Sequence, residues 1–310
     1  MLTYLPPLNA ISSQRRTLVW VDREGRSEPL TAEPRGFYVV ELSPDGTKVA
    51  LDVTGLNRDV WTYDLSRDTM TRLTLDPGDD TYPVWTPDGR RLIMGSSRDG
   101  GPRKLYVCSA DGTGPIEPLS TNENHRVPMA VSPDGHALVF TESGDLGILS
   151  LTGGGESRFL LETQSQEFNV AISNDGRWMV YQSDESAKFE VLVRPFPNVN
   201  DGRWQISSGG GRWPRWSRDG AEFFYWSDDT LVAVAVETEP TFRPASPSPL
   251  FDYPGIYRNV GRPYDVAPDA QRFLLVDTSA DADGVPSTST HIRVVLNWVE
   301  ELKARVPIEK

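Results

Sequence analysis

The chain has 310 residues, a formal net charge of −13 and 38% hydrophobic residues, which is a composition typical of a globular protein. This acidity disfavours nucleic acid and anionic lipid surfaces as partners, because like charges repel at long range. The single cysteine, Cys108, excludes an intramolecular disulfide, and no apolar run approaches the roughly 20 residues of a membrane-spanning helix.

The N-terminal stretch, residues 1–16, is predicted to be an extension that precedes the main domain. Pro6 and Pro7 interrupt its short apolar part, so we expect no signal peptide in this chain. Two strand-like segments are predicted next, at residues 16–22 and 27–30. They resemble the third and fourth strands of a four-stranded unit whose first two strands are missing.

A tetrapeptide centred on an aspartate then recurs along the chain. The copies read S-P-D-G, T-P-D-G, S-P-D-G, S-N-D-G, S-R-D-G and A-P-D-A, and their aspartates are Asp45, Asp88, Asp134, Asp175, Asp219 and Asp269. The successive spacings are 43, 46, 41, 44 and 50 residues. Proline at the second position and glycine at the fourth favour a type I turn that ends in a left-handed residue. Ala270 replaces this glycine in the last copy, so that turn must adopt a strained conformation or another type.

Each turn lies between two apolar strand-like segments, and two further segments follow before the next copy. Four short antiparallel strands every 40 to 50 residues are typical of a propeller blade. We therefore predict an all-β, six-bladed β-propeller with four-stranded antiparallel blades over residues 17–298, and a C-terminal tail over 299–310. The N-terminal strands are predicted to close the last blade and so remove an open sheet edge. An additional strand-like segment, 291–298, leaves the strand order of that blade open.

Two parts of the repeat carry a resemblance to known families. The segment 83–93, PVWTPDGRRLI, followed by Leu105-Tyr106-Val107 and Asp111-Gly112, resembles the repeat of TolB-type propellers. Segments 193–197 and 202–207 are similar to the propellers that form C-terminal sensor domains of some bacterial Ser/Thr protein kinases. The resemblance covers residues 17–298 and implies the fold. It also implies a periplasmic or other extracytoplasmic location.

Most catalytic motifs are missing from the sequence. It contains no G-x-S-x-G, no Walker loop, no H-E-x-x-H and no C-x-x-C. Only three histidines occur, and of these His125 alone precedes a predicted innermost strand. We therefore expect a protein that is not an enzyme and needs no cofactor.

Acidic residues form one candidate metal site. Asp79 and Asp80 precede a predicted innermost strand, and Glu123 and Glu167 have comparable places in two other blades. Carboxylates that converge near the propeller axis are ligands that Ca²⁺ prefers. The alternative is that these side chains belong to solvated loops.

Four arginines form a second candidate site, each preceding its turn motif by five to eight residues: Arg35, Arg126, Arg212 and Arg262. The innermost strand of a blade begins there, so we predict that their guanidinium groups converge on one mouth of the central channel. Tyr38, Tyr82, His125 and Trp213 are predicted to lie beside them. A cationic, aromatic mouth suits a carboxylate or an acidic peptide. The alternative is that the arginines pair with nearby acidic residues.

The preferred hypothesis is a noncatalytic propeller that binds a protein or peptide at its channel face, as a sensor or scaffold. One alternative is a propeller enzyme, a lyase or hydrolase that uses carboxylates at the channel mouth together with His125. Another is a detached sensor domain of a Ser/Thr protein kinase. We expect no nucleic acid partner and no membrane insertion by this chain, and the sequence is compatible with a monomer.

Overall fold

The computed structural model describes residues 15–30, 33–120, 123–258 and 261–279. Within these ranges, 25 strands form six antiparallel sheets arranged as the blades of a propeller. The described residues include no helix that is long and apolar enough to cross a membrane. The predicted all-β, six-bladed propeller is confirmed.

The first strands of the chain, β1 (Thr17–Asp22) and β2 (Ser27–Pro29), precede the first complete blade. Three blades then follow in chain order, each built from four consecutive strands. Blade 1 consists of β3 (Gly36–Leu42), β4 (Lys48–Thr54), β5 (Arg58–Asp64) and β6 (Thr69–Arg72). Blade 2 consists of β7 (Asp80–Trp85), β8 (Arg91–Ser96), β9 (Lys104–Ser109) and β10 (Glu117–Pro118). Blade 3 consists of β11 (Arg126–Val131), β12 (Ala137–Glu142), β13 (Asp145–Ser150) and β14 (Ser157–Leu161).

The fourth and fifth blades follow the same order. Blade 4 consists of β15 (Glu167–Ile172), β16 (Trp178–Ser183), β17 (Glu190–Pro195) and β18 (Trp204–Gln205). Blade 5 consists of β19 (Arg212–Trp216), β20 (Glu222–Ser227), β21 (Thr230–Glu237) and β22 (Arg243–Pro244), with a fifth strand, β23 (Ser248–Asp252), that also pairs with β21. This added strand accounts for the long spacing of 50 residues before the last turn motif.

The sixth blade joins the two parts of the chain. It consists of β24 (Tyr264–Val266) and β25 (Arg272–Asp277), followed outward by β1 and β2. β1 pairs with β25 over six residues, from Thr17 opposite Asp277 to Asp22 opposite Arg272. The predicted closure of the last blade by N-terminal strands is confirmed, and both of them lie outside β25. The strand-like segment 291–298 and the predicted tail lie outside the described residues.

A hydroxyl group organises the repeated turn. Ser43 Oγ donates to Asp45 Oδ1 at 2.6 Å and accepts the Lys48 backbone N–H at 2.9 Å. The Ser43 bond, followed by the Thr47 backbone N–H, which donates to Asp45 Oδ1 at 3.0 Å, lowers the pKa of Asp45 to about 2. The sixth copy has Ala267 in place of the hydroxyl residue, and its Ala270 adopts a left-handed φ of 54°. The strained conformation considered for Ala270 is therefore the one that the turn adopts.

The hydrophobic core is divided among the contacts between neighbouring blades. Six clusters of buried side chains each join residues of two adjacent blades. For example, Phe224 and Trp226 of blade 5 pack with Tyr264 and Phe273 of blade 6. Each blade therefore buries both of its faces, and the ring is stabilised as a closed set of sheet-on-sheet interfaces.

Candidate functional site: the axial funnel

A cavity of about 470 Å³ opens on the propeller axis and is lined by residues from all six blades. We call it the funnel. It lies where the innermost strands end, on the side of the repeated turns, whereas the predicted mouth was where these strands begin. The innermost strands of blades 1 to 5 contain register shifts. Such bulges change the direction of the side chains that follow them.

The funnel has layers that correspond to positions in the repeat. The second residue of every turn motif lines its rim, giving Pro44, Pro87, Pro133, Asn174, Arg218 and Pro268. The residue just before every motif lines its wall, giving Leu42, Trp85, Val131, Ile172, Trp216 and Val266. Four rigid prolines thus form most of the rim above an apolar wall, a combination suited to holding an apolar chain segment without much loss of entropy on binding.

Charged side chains form the floor of the funnel. Arg262, which is 2% exposed, extends from the segment before β24 and contacts three other blades. Its Nη1 lies 2.6 Å from Glu41 Oε2 and donates to the Met129 carbonyl at 3.0 Å, and its Nη2 donates to the Pro83 carbonyl at 2.8 Å. Burial raises the pKa of Glu41, and the charge of Arg262 opposes this rise. Arg262 therefore links blades 6, 1, 2 and 3 at the axis.

A second pair completes the floor. Arg215 Nε lies 3.6 Å from Asp265 Oδ1. The Asp265 carboxylate is already used by backbone groups, because the Leu42 N–H donates to Oδ2 at 2.7 Å and the Val266 N–H donates to Oδ1 at 2.9 Å. Arg215 Nη2 is buried and has no hydrogen-bond partner among the described residues. Arg215 thus has an unused donor at the floor, as has Arg262 at its Nε.

The structure does not bring the four predicted arginines together. Arg126 is buried and bound to Glu142 and Ser157 of its own blade. Arg35 pairs with Glu33 at 3.1 Å, and its guanidinium lies 5.5 Å from the Trp61 ring centroid in the outer part of blade 1. The physical reason is that acidic and aromatic partners lie nearer than the axis.

The remaining two predicted arginines also differ in position. Arg212 lies over the Phe189 ring, 4.8 Å from its centroid, between blades 4 and 5. Only Arg262 reaches the channel, where its charge is paired with Glu41. Three of the four arginines thus pair with acidic residues, as the alternative prediction stated: Arg35, Arg126 and Arg262. The four guanidinium groups do not converge on one mouth of the channel.

The predicted aromatic residues have structural neighbours. Tyr38 and Tyr82 are in edge contact with ring centroids 6.3 Å apart, and the Arg58 guanidinium lies over both rings. Trp213 is buried, and its backbone N–H donates to Gln182 Oε1 at 2.9 Å across the blade 4 and blade 5 contact. None of these three residues lines the funnel.

His125 lies on the surface close to Arg103. Burial and then the Arg103 charge lower its pKa, so the imidazole is predominantly neutral at neutral pH. His125 does not line the funnel either.

The predicted metal ligands are each engaged within blades 2 to 4. Asp79 pairs with Arg103, Asp80 with Arg98, and Glu123 with Lys104. Glu167 is buried and accepts hydrogen bonds from Thr163 and Ser183, and burial raises its pKa. Within the described ranges, no three His, Cys, Asp or Glu side chains are grouped so that they could hold a metal ion. The four side chains are thus not grouped as one site, and calcium binding by this chain stays a prediction.

Three funnel residues, Glu41, Arg215 and Asp265, were not predicted from the sequence. Each lies four residues before the aspartate of its turn motif, where the other blades have Val84, Ala130 and Ala171. The signal was therefore present in the repeat: three charged residues occur at a position that is otherwise small and apolar.

Comparison with known proteins agrees with this architecture. Residues 18–194, more than half of the chain, match the TolB beta propeller domain. The chain belongs to the TolB beta propeller domain family. The matched part of this TolB-family propeller runs from β1 to β17 and includes four of the six turn motifs.

Among individual proteins, the chain is 30% identical over 115 residues to "Uncharacterized peptidase YuxL" of Bacillus subtilis, which covers 33% of the chain and 17% of that relative. It is 51% identical over 43 residues to the Tol-Pal system protein TolB of Bordetella pertussis, covering 14% of the chain and 10% of that relative. The TolB-family propeller thus aligns with under a fifth of either relative.

A solved structure from Agrobacterium tumefaciens, described as TolB, has a similar fold. Its TM-score is 0.68 at 16% sequence identity, and the match covers 85% of this chain and 98% of that one. At this identity the likeness shows that the TolB-family propeller and the solved structure share a fold.

Proposed function

We propose that this chain is a noncatalytic binding module that takes up an extended peptide segment of a partner protein in the axial funnel. The observation that carries the proposal is the funnel itself, a cavity that every blade lines and that has an apolar wall and a charged floor. Its volume of about 470 Å³ lies in the range of ligand pockets of roughly 300 to 1,000 Å³. Such a space admits a few residues of a peptide rather than a folded domain.

Two further points support a protein partner. One matched relative is named as a protein of the Tol-Pal system, which makes assembly with other proteins the first function to test for this family. The protein as a whole carries a charge of −13, which disfavours nucleic acid. The family resemblance also supports an extracytoplasmic location for the module, as a sensor or scaffold.

The test is to select peptides from a random phage-displayed library on the immobilised chain and to measure their affinity by fluorescence anisotropy. Val131→Arg and Ile172→Arg place bulky charges on the funnel wall and should weaken binding at least about tenfold, since each removes apolar contact and blocks entry. Leu56→Arg is the matched control, because Leu56 is 82% exposed and does not line the funnel. Binding that survives both wall variants would contradict the proposal.

An enzymatic function is a second candidate, favoured by a relative named as a peptidase. The funnel floor contains two carboxylates, Glu41 and Asp265, but both are bound by backbone N–H groups and lie beside arginines. We therefore propose that they organise the ring rather than transfer protons. Incubating the chain with peptide, lactone and uronide substrates, with and without Ca²⁺, tests this, and turnover that Glu41→Gln abolishes would favour the enzyme.

A further inference from the structure

The charged groups at the funnel floor differ in how completely they are hydrogen-bonded. Glu41 Oε1 accepts the Trp85 backbone N–H at 3.1 Å, and Glu41 Oε2 lies 2.6 Å from Arg262. Arg262 and Asp265 each have two or more partners, as described above. Two buried nitrogens of the floor, Arg262 Nε and Arg215 Nη2, have no hydrogen-bond partner among the described residues. Arg262 nevertheless donates through both of its Nη atoms, whereas the Arg215 guanidinium approaches Asp265 at 3.6 Å. The Arg215 guanidinium can therefore donate a hydrogen bond to an incoming group.

Arg215 borders the funnel in which a ligand would lie. Arg215 is 8% exposed as a residue, and its side chain lines the cavity. Its contact to Asp265, at 3.6 Å, is longer than a hydrogen bond. A ligand acceptor at the floor would therefore supply a bond that the protein itself does not make.

The local charge favours an anion at this point. The funnel is lined by three arginines, Arg215, Arg218 and Arg262, and by two carboxylates, Glu41 and Asp265. The cavity is thus positively charged by one unit within a protein whose net charge is −13. Field lines are focused in a narrow cleft with low-dielectric walls, so an anionic group is better accommodated on this floor than elsewhere on the surface.

We infer that the funnel binds an apolar segment that ends in, or carries, a carboxylate, and that Arg215 binds this carboxylate at the floor. This inference rests on the proposed peptide-binding function and specifies its ligand. The apolar wall of Trp85, Val131, Ile172 and Trp216 holds the preceding side chains. A carboxylate matches the planar fork of an arginine better than a carbonyl does, and charge-assisted bonds are about twice as strong as neutral ones. The carboxylate can come from a chain terminus or from an Asp or Glu side chain.

The experiment uses the full chain and a pool of N-acetylated tetrapeptides of apolar residues in three forms. The first form has a free C-terminal carboxylate, the second a C-terminal amide, and the third a C-terminal amide with Glu at the last position. Affinity-selection mass spectrometry identifies bound members, and calorimetry measures their dissociation constants. We expect one of the carboxylate forms to bind about 10- to 100-fold more tightly than the plain amide, the factor that a charged hydrogen bond provides. The first and third forms distinguish the two sources of the carboxylate.

Variants assign the preference to Arg215. Arg215→Gln should reduce the preference for carboxylate to less than about twofold, and Arg215→Lys, which keeps the charge but loses the fork, should retain part of it. Arg212→Gln is the matched control, because Arg212 is exposed, lies over the Phe189 ring outside the funnel and should leave the preference unchanged. Circular dichroism and thermal unfolding establish that each variant is folded. Should Arg215→Gln unfold, Arg215→Lys tests the assignment instead, because its preference for carboxylate should be reduced.

The outcomes separate this inference from the proposed function. A carboxylate preference that disappears in Arg215→Gln and persists in Arg212→Gln supports the inference. Equal affinity for all three forms, with binding still weakened by Ile172→Arg, overturns the carboxylate assignment and leaves the peptide-binding function in place. Binding that Ile172→Arg does not affect, or no binding in any form, overturns both.

Discussion

Replacing Arg262 by methionine should strongly destabilise the propeller. The guanidinium is buried and joins Glu41 of blade 1 to the carbonyls of Pro83 and Met129 in blades 2 and 3. Arg262→Met leaves the Glu41 carboxylate buried without its charge partner and leaves both carbonyls without this donor. Removing one member of a buried ion pair costs about 3 to 5 kcal/mol, and we expect a loss of unfolding free energy in that range.

A double-mutant cycle isolates the interaction between the two charges. Glu41→Gln alone should cost about 1 to 3 kcal/mol, since a neutral amide replaces the buried carboxylate that faces Arg262. The double variant should be more stable than the sum of the single changes predicts, by about 1 to 3 kcal/mol, because it contains no unpaired buried charge.

The pH dependence of the unfolding free energy provides an independent test of the same interaction. Burial raises the pKa of Glu41, and the charge of Arg262 lowers it, so Arg262→Met should raise this pKa further. A carboxyl with a raised folded-state pKa stabilises the fold at low pH and loses this contribution as the pH rises through that pKa. The stability difference between wild type and Arg262→Met should therefore be larger at pH 8 than at pH 5.

Urea unfolding monitored by tryptophan fluorescence measures these quantities, with the midpoint and slope compared at each pH. Arg212→Met is the matched control, since Arg212 is exposed and contacts a single ring, and its cost should stay within about 0.5 to 1 kcal/mol. A cost below about 1 kcal/mol for Arg262→Met, or additivity within about 0.5 kcal/mol in the cycle, would refute the reasoning.

Three further predictions concern the turns and the thiol. Ser173→Ala removes the side-chain acceptor of the buried backbone N–H of Trp178. Urea unfolding should therefore show a loss of about 1 to 3 kcal/mol in unfolding free energy. The pKa of Asp45 is lowered to about 2, chiefly by Ser43, so its contribution to stability is present above about pH 4 and lost as the pH falls towards 2. Asp45→Asn should therefore destabilise the chain at pH 7 more than at pH 2. Burial raises the pKa of Cys108 to about 11, so at pH 8 a thiol reagent should label it at least about 100-fold more slowly than free cysteine.

A different result would contradict each of these three predictions. The exposed Ser186→Ala is the control for the turn, and equal costs for Ser186→Ala and Ser173→Ala would show that the hydroxyl has no special role. A pH-independent effect of Asp45→Asn would contradict the lowered pKa. Rapid labelling of the native chain at a rate equal to that of the urea-unfolded chain would show that the Cys108 thiol is accessible.

The repeat determined the architecture from the sequence alone. Proline, aspartate and glycine at fixed places specify a tight turn through local backbone preferences, and apolar segments on both sides require burial between sheets. Their recurrence at Asp45, Asp88, Asp134, Asp175, Asp219 and Asp269 therefore indicated six blades. The shared sixth blade followed as well, because the segment at 16–22 lacked its own first two strands. The turn hydroxyls, by contrast, were not recognised as hydrogen-bonding groups.

The site was decided only by the tertiary structure. The sequence placed Arg35, Arg126, Arg212 and Arg262 at equivalent ends of strands, but it could not specify which neighbour each long side chain would reach. Glu142 lies in the strand next to Arg126, and Glu41 lies in the blade that ring closure places beside the blade of Arg262. Coulomb attraction depends on distance in space, and distances between blades follow from ring closure rather than from spacing along the chain. For the same reason, the unused donor of Arg215 became visible only once all six blades were in place.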